Sequence, residues 1–301
     1  MLLAAAASSS LLSLDLSACC LGPRAGDAAR ALLAVAPPLR CLRLADNAQL
    51  GHSGVCALAL GLCGATSLTE LDLSGCAVGD AGAAALGAAL PTCGALVRLT
   101  LRNCCIGAAG AAALATALRT GARLEHLCLA ANADMGDEGA MELANALTAE
   151  RHANGNGAPA QASVARALVV HLDVGACGIG ATGAEALLRA GGAATLSLFG
   201  NELIGDAGAI AVAAALQTSS GALTCLDLSG AGIGAAGGAA LAAALSGGAA
   251  PALATLELGA NPALTGDAEW PATLEGLRRA RPGLDVAWRV ADPGDAPPPP
   301  P

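Results

Sequence analysis

The chain of 301 residues is 54% apolar but only 1% aromatic, with one Phe, no Tyr and two Trp, so its apolar content consists of small side chains. That excludes one large core packed around rings and demands burial through many repeated contacts. All 15 basic residues are Arg, set against 24 acidic ones, and a net charge of -9 excludes affinity driven by neutralising phosphates; no nucleic acid is expected.

Residues 1–10 read as a partial N-terminal repeat helix without a polar cap, and MLLAAAASSSLL carries no basic residue ahead of its apolar stretch, unlike a secretory signal. Over residues 11–290 the pattern L-x-x-L-x-L-x-x-(N/C) recurs, ending at Cys19, Asn47, Cys76, Cys104, Asn132, Cys177, Asn201, Ala231 and Asn261. Successive anchors lie 28, 29, 28, 28, 45, 24, 30 and 30 residues apart, a period that marks a solenoid. Within each copy the alternating x-L-x-L-x segment predicts a short strand. The second half, as in Val78 to Leu90, places apolar residues at helical spacing among strong helix formers. Asp80, Asp137 and Asp206 stand at the head of that run and are expected to cap their own helices. Copies with Ala there, after Gly107 and Gly234, are expected to start less firmly.

The long interval before Cys177 places a turn-rich loop insertion near 149–166, and the short unit between Cys177 and Asn201 predicts a helix lacking its last turn. Leu284 to Val286 predict a last strand, with Trp270 and Trp288 covering the apolar edge, and residues 291–301 a disordered Pro-rich tail. The uncharged stretch 228–256 is interrupted by Pro251 and rich in Gly and Ala, so no membrane span is expected. Twelve Cys without close zinc-type pairs fit reduced thiols and a cytoplasmic location.

The nine copies resemble leucine-rich-repeat proteins, in particular the ribonuclease-inhibitor-like subclass with a full helix in each repeat. That resemblance implies an α/β fold: a right-handed βα solenoid, or horseshoe, with a parallel concave sheet and convex helices. Two repeat types are visible. Cys- or Ala-ended copies put the next large apolar residue two positions on (Val78, Ile106, Ile179, Ile233), and Asn-ended copies put it three positions on (Leu50, Met135, Ile204, Leu264). The resemblance further implies a structural ladder of Asn47, Cys76, Cys104, Asn132, Cys177, Asn201 and Asn261, buried and bonded to the turning backbone. Ala231 lacks such a group, so local looseness or a substitute donor is expected there.

No G-x-x-x-x-G-K-[ST], G-x-S-x-G or H-E-x-x-H motif is present, so no catalytic residue, cofactor or enzymatic activity is expected. His126 and His171 fall in one column with Cys128 and Asp173 two residues along; these are zinc-binding residue types, but nothing orients the rings and no metal is expected. Function is assigned to exposed positions of the concave sheet, taken as free of structural duty. Their middle column runs Asp15, Arg43, Asp72, Thr100, Cys128, Asp173, Ser197, Asp227 and Glu257, mainly acidic. Arg98 and Arg102 form a basic island, and Phe199 is the face's one ring. The expected partner-binding set is therefore Arg43, Glu70, Asp72, Arg98, Arg102, Glu125, His126, His171, Asp173, Phe199, Asp227 and Glu257, a scaffold for a protein with a basic surface. Two alternatives stay open, because such repeats are also similar to those of Ran GTPase-activating proteins and to the sensor segment of NOD-like receptors. Oligomeric state is unknown from the sequence.

Overall fold

A computed structural model describes residues 11–35, 38–155, 169–218 and 222–288. Ten three-residue strands form one parallel sheet in sequence order: β1 (Ser13–Asp15), β2 (Cys41–Arg43), β3 (Glu70–Asp72), β4 (Arg98–Thr100), β5 (His126–Cys128), β6 (His171–Asp173), β7 (Thr195–Ser197), β8 (Cys225–Asp227), β9 (Thr255–Glu257) and β10 (Asp285–Ala287). The middle residue of each strand points into the core, and from Leu42 to Val286 these residues are at most 4% exposed. The helices between strands are α1 (Arg24–Val35), α2 (Gly51–Leu62), α3 (Gly79–Ala89), α4 (Ala108–Thr120), α5 (Gly136–Gly155), α6 (Ala181–Ala190), α7 (Gly205–Thr218), α8 (Ala235–Ser246), α9 (Pro262–Thr265) and α10 (Trp270–Ala280). From α1 to α8 each packs on the next, so a strand and its helix bury their apolar sides against the neighbouring unit.

The two repeat types have distinct turns. The residue before every anchor is left-handed, with φ from 51° to 68° across Ala18, Asp46, Gly75, Asn103, Ala131, Ala176, Gly200, Gly230 and Ala260. In Asn-ended copies the anchor carbonyl then accepts from the amide three residues on (Leu50, Met135, Ile204 and Leu264, at 2.9–3.1 Å), and that tight turn buries the apolar residue. In Cys- or Ala-ended copies a second left-handed residue follows the anchor: Cys20, Ala77, Cys105, Gly178 or Gly232. The chain then reaches the core one residue sooner.

The ladder residues are buried, and each Asn binds the preceding repeat. Asn132 Oδ1 accepts from the Cys104 and Ile106 amides at 2.9 and 3.0 Å, while its Nδ2 donates to Leu101 and Leu129 carbonyls at 2.9 and 2.6 Å. Asn47 and Asn201 repeat this arrangement, and Asn261 does so with the Ile233 amide alone. Cys76, Cys104 and Cys177 donate their thiols to the Leu44, Leu73 and Leu129 carbonyls at 3.0–3.1 Å. At Ala231 the thiol bond is missing, and the Leu198 carbonyl and Ile233 amide keep the Asn201 and Asn261 bonds that the Cys-ended copies also have.

The expected role of the helix-head aspartates needs correction. Asp80, Asp137 and Asp206 do stand in the first turn of α3, α5 and α7, but their carboxylates bind the following repeat. Asp80 Oδ1 accepts from Gly107 and Gly110 amides at 2.8 and 2.9 Å, Asp137 Oδ1 from Gly180 and Gly183, and Asp206 Oδ1 from Gly234 and Gly237. The Ala-bearing starts of α4, α6 and α8 are therefore held by carboxylates from their neighbours rather than left loose. A carboxylate set at the positive end of another helix satisfies donors its own helix cannot reach.

Helix α6 spans 10 residues, the short unit anticipated between Cys177 and Asn201. Within the expected loop near 149–166, α5 continues to Gly155, and residues 156–166 lie outside the described residues, as do 1–10 and the 291–301 tail. At the C-terminal end β10 pairs with β9, and the Trp270 and Trp288 rings meet edge to face at 6.5 Å above that edge. Among the described residues no helix is long and apolar enough to cross a membrane.

Candidate functional site

The sheet register fixes two outward columns. One carries Cys41, Glu70, Arg98, His126, His171, Thr195, Cys225 and Thr255; the other carries Arg43, Asp72, Thr100, Cys128, Asp173, Ser197, Asp227 and Glu257. A third runs just past the strands, where backbone bonds continue the pairing through Ser74, Arg102, Ala130, Gly175, Phe199 and Ser229. Only Arg102 and Phe199 are large there, so Ala130 and Gly175 form a low floor between them.

Several of these side chains do have structural duty, contrary to the sequence expectation. Asp15, Asp72, Asp173 and Asp227 each accept, through Oδ1, the amide two residues on, at 2.8–3.0 Å, and so set the turn that leaves the strand. The signal was present as Asp followed two positions later by Ser or Gly. The basic island is also smaller than expected. Arg43 donates to Glu70 Oε1 at 2.8 Å, and Arg98 lies 3.5 Å from Glu70 Oε2. Burial would raise the Glu70 carboxyl, but the Arg43 hydrogen bond and the two guanidinium charges outweigh it and hold the group below its usual range. Arg102 is exposed and makes no ion pair among the described residues.

His126 and His171 stack face to face, centroids 4.3 Å apart and planes 6° off parallel. Lone pairs of stacked imidazoles lie in separate parallel planes, so one ion cannot sit in both. Among the described residues no group of three or more His, Cys, Asp or Glu is placed to hold a metal. Cys128 donates its thiol to Asp173 Oδ2 at 3.2 Å, and burial followed by the Asp173 charge pushes it up to about 12. It is a neutral donor, not a nucleophile or ligand.

These residues surround a recess of about 280 Å³ on β4 to β7, lined by Arg98, Thr100, His126, Cys128, His171, Asp173, Thr195 and Ser197 over a floor of Leu99, Leu127 and Leu172. The expected residues Arg98, His126, His171 and Asp173 meet here. Glu125 stands exposed just before β5, and Arg43, Glu70 and Asp72 lie on β2 and β3, away from the recess. Phe199, 49% exposed, stands just past β7. Asp227 and Glu257 continue the face to β9, where burial, then the like charges of Asp227 and Asp285, raises the Glu257 carboxyl. Thr195 was not among the expected residues, although the column that holds His126 and His171 runs on to it.

Sequential parallel strands, each returned by a helix and stitched by buried Asn and Cys, define a βα solenoid with one sheet face uncovered. The family model described as Leucine Rich repeat matches residues 64–87, 96–115, 168–188, 195–213 and 223–242, and these segments of the chain are leucine-rich repeats. No curated protein matches the sequence. Solved structures similar to it include the leucine-rich repeat-containing protein LegL7 from Legionella pneumophila, 16% identical over 94% of this chain and 96% of that one, TM-score 0.47. A chain in the crystal structure of the Rad7 and Elc1 complex in yeast is 15% identical over 89% of this chain and 73% of that one, TM-score 0.38.

Proposed function

We propose that this chain is a protein-interaction scaffold that receives its partner on the sheet face from β4 to β9. The observation that carries this reading is Phe199: a half-exposed ring beside a small-residue floor, followed by an acidic row in which burial, then like charges, raises Glu257. Water poorly solvates such a ring, and a basic partner relieves such a row, so the pair fits an aromatic anchor with charge steering. Asp173 and Asp227 are unsuitable probes, because each also holds a turn. Phe199→Ala with Glu257→Arg is expected to weaken a partner captured by the wild-type chain roughly 30-fold, the equivalent of an aromatic hot spot of about 2 kcal/mol. Unchanged affinity would remove the assignment.

The GTPase-activating reading rests first on Arg102, which makes no ion pair among the described residues, whereas Arg98 has a long contact to Glu70. It requires accelerated phosphate release from a small GTPase, with loss on Arg102→Ala.

A further inference from the structure

We propose that the recess on β4 to β7 is an acceptor site for a carboxylate side chain of the partner, gripped by Arg98, His126 and His171. This rests on the sheet face being the binding surface and adds what the partner must present there: an acidic residue set within an otherwise basic surface.

The argument begins with what the lining groups have left to offer. Both oxygens of Asp173 are engaged, Oδ1 by the Gly175 amide at 3.0 Å and Oδ2 by the Cys128 thiol at 3.2 Å. The Cys128 hydrogen is directed at that carboxylate. What remains is a row of donors in one register line, Arg98, His126, His171 and Thr195, flanked by the Thr100 and Ser197 hydroxyls. Arg98 has only a long contact to Glu70, whose other oxygen is closely held by Arg43. Asp173 lies two residues further along its strand, about 6.6 Å from the His171 position, so it does not share the row. A cavity of about 280 Å³ sits below the span of ordinary cofactor pockets and takes one or two side chains. One guanidinium, two imidazole N–H groups and the Thr195 hydroxyl, aligned in a recess of that size, match a carboxylate.

The titratable and charged groups facing the imidazoles are Arg98 from β4, Glu125 and Cys128 from β5's own segment, and Asp173 from β6; β7 contributes only Thr195 and Ser197. Burial first, then Arg98 and His171, lowers the proton affinity of His126 in the free protein, with Glu125 opposing. A bound carboxylate reverses that balance by favouring the imidazolium. The bound-state pKa then exceeds the free-state one, so affinity rises as pH falls through the former and levels off below the latter.

The test uses the full chain and an oligoglutamate peptide, with oligoarginine and inorganic phosphate as parallel probes, read by the imidazole proton resonances and by calorimetry. Oligoglutamate is expected to shift both His126 and His171 signals and to bind roughly tenfold more tightly at pH 5.5 than at pH 7.5, the effect of one pKa unit at one imidazole. His126→Asn with His171→Asn is expected to abolish the pH dependence, and Arg98→Gln to weaken binding at both pH values. Folding of Arg98→Gln is protected because Arg43 retains Glu70. No histidine shift, a pH dependence that survives the double variant, or binding of phosphate or oligoarginine in place of oligoglutamate would overturn the proposal. Partner capture that still depends on Phe199 and Glu257 in that event would leave the scaffold reading standing.

Discussion

At the scale of single residues, polar side chains join one repeat to the next. Asp80 illustrates this: it sits in α3, but both its hydrogen bonds go to the head of α4. Asp80→Ala is therefore expected to lower stability by about 1–2 kcal/mol in urea unfolding, the range for a lost helix cap. Hydrogen exchange should show the loss at Gly107 and Gly110 rather than in α3. Asn132→Ala should cost more, because it abandons the Cys104 and Ile106 amides and the Leu101 carbonyl together. The Leu129 carbonyl keeps the Cys177 thiol, leaving three orphaned groups and an expected loss of about 4 kcal/mol at 1–3 kcal/mol per unsatisfied buried group. A loss of Asn132 smaller than that of Asp80, measured the same way, would contradict the ladder's role.

At the scale of elements, the carboxylate that crosses between repeats dictates which residue begins the next helix. A Cβ on Gly183 would stand 2.6 Å from Asp137 Oδ1 and 2.9 Å from both Ala140 Cβ and Ile179 Cγ2. Alanine there gains about 1 kcal/mol in helix propensity. It also evicts the carboxylate and overpacks the helix contact, for about 1–3 kcal/mol of strain plus the lost cap. Gly183→Ala is accordingly expected to destabilise by about 2 kcal/mol, and Gly183→Ala combined with Asp137→Ala to cost less than the sum, since both remove one cap. Thermal unfolding of the two single variants and the double variant decides it. This coupling also shows where sequence reading stopped. The strands, helices and two turn types were legible because a period of two, a period near 3.6 and the position of Val78 or Leu50 after its anchor are local patterns. The Asp137 to Gly183 bond spans 46 residues across an insertion, and the His126 to His171 stack could be placed in register but its ring geometry could not. The donors left free in the recess were likewise hidden, because that depends on Asp173 and Glu70 already being engaged.

At the scale of the whole molecule, stability is a sum over junctions, and the junctions are not alike. Counting repeats by their strands, Asn47 ties the first to the second, Asn132 the fourth to the fifth, Asn201 the sixth to the seventh and Asn261 the eighth to the ninth. The alternate junctions between the third and fourth, fifth and sixth, and seventh and eighth repeats carry the Asp80, Asp137 and Asp206 caps. The C-terminal end is closed by Arg281, whose guanidinium donates to the Ala249, Ala250 and Leu253 carbonyls at 2.9, 3.2 and 3.1 Å. Between the second and third repeats neither device is present among the described residues. His52 stands in the first turn of α2 where the aspartates stand in α3, α5 and α7, and the side-chain links are the Cys76 and Cys56 thiols, the exposed Thr69 hydroxyl on the Arg40 carbonyl and the exposed Arg43–Glu70 pair. A thiol is a weak donor, and an exposed ion pair contributes about 0–1 kcal/mol. The boundary between β2 and β3 is thus the weakest seam, and β1, α1, β2 and α2 should open as one unit at denaturant concentrations where β3 to β9 stay closed. Hydrogen exchange in increasing urea is expected to show a common opening free energy for the amides of that unit, distinctly below the remainder. Protection that declines gradually from β1 inward, or that fails first at the Arg281 end, would mean that the polar bridges do not set the order of unfolding.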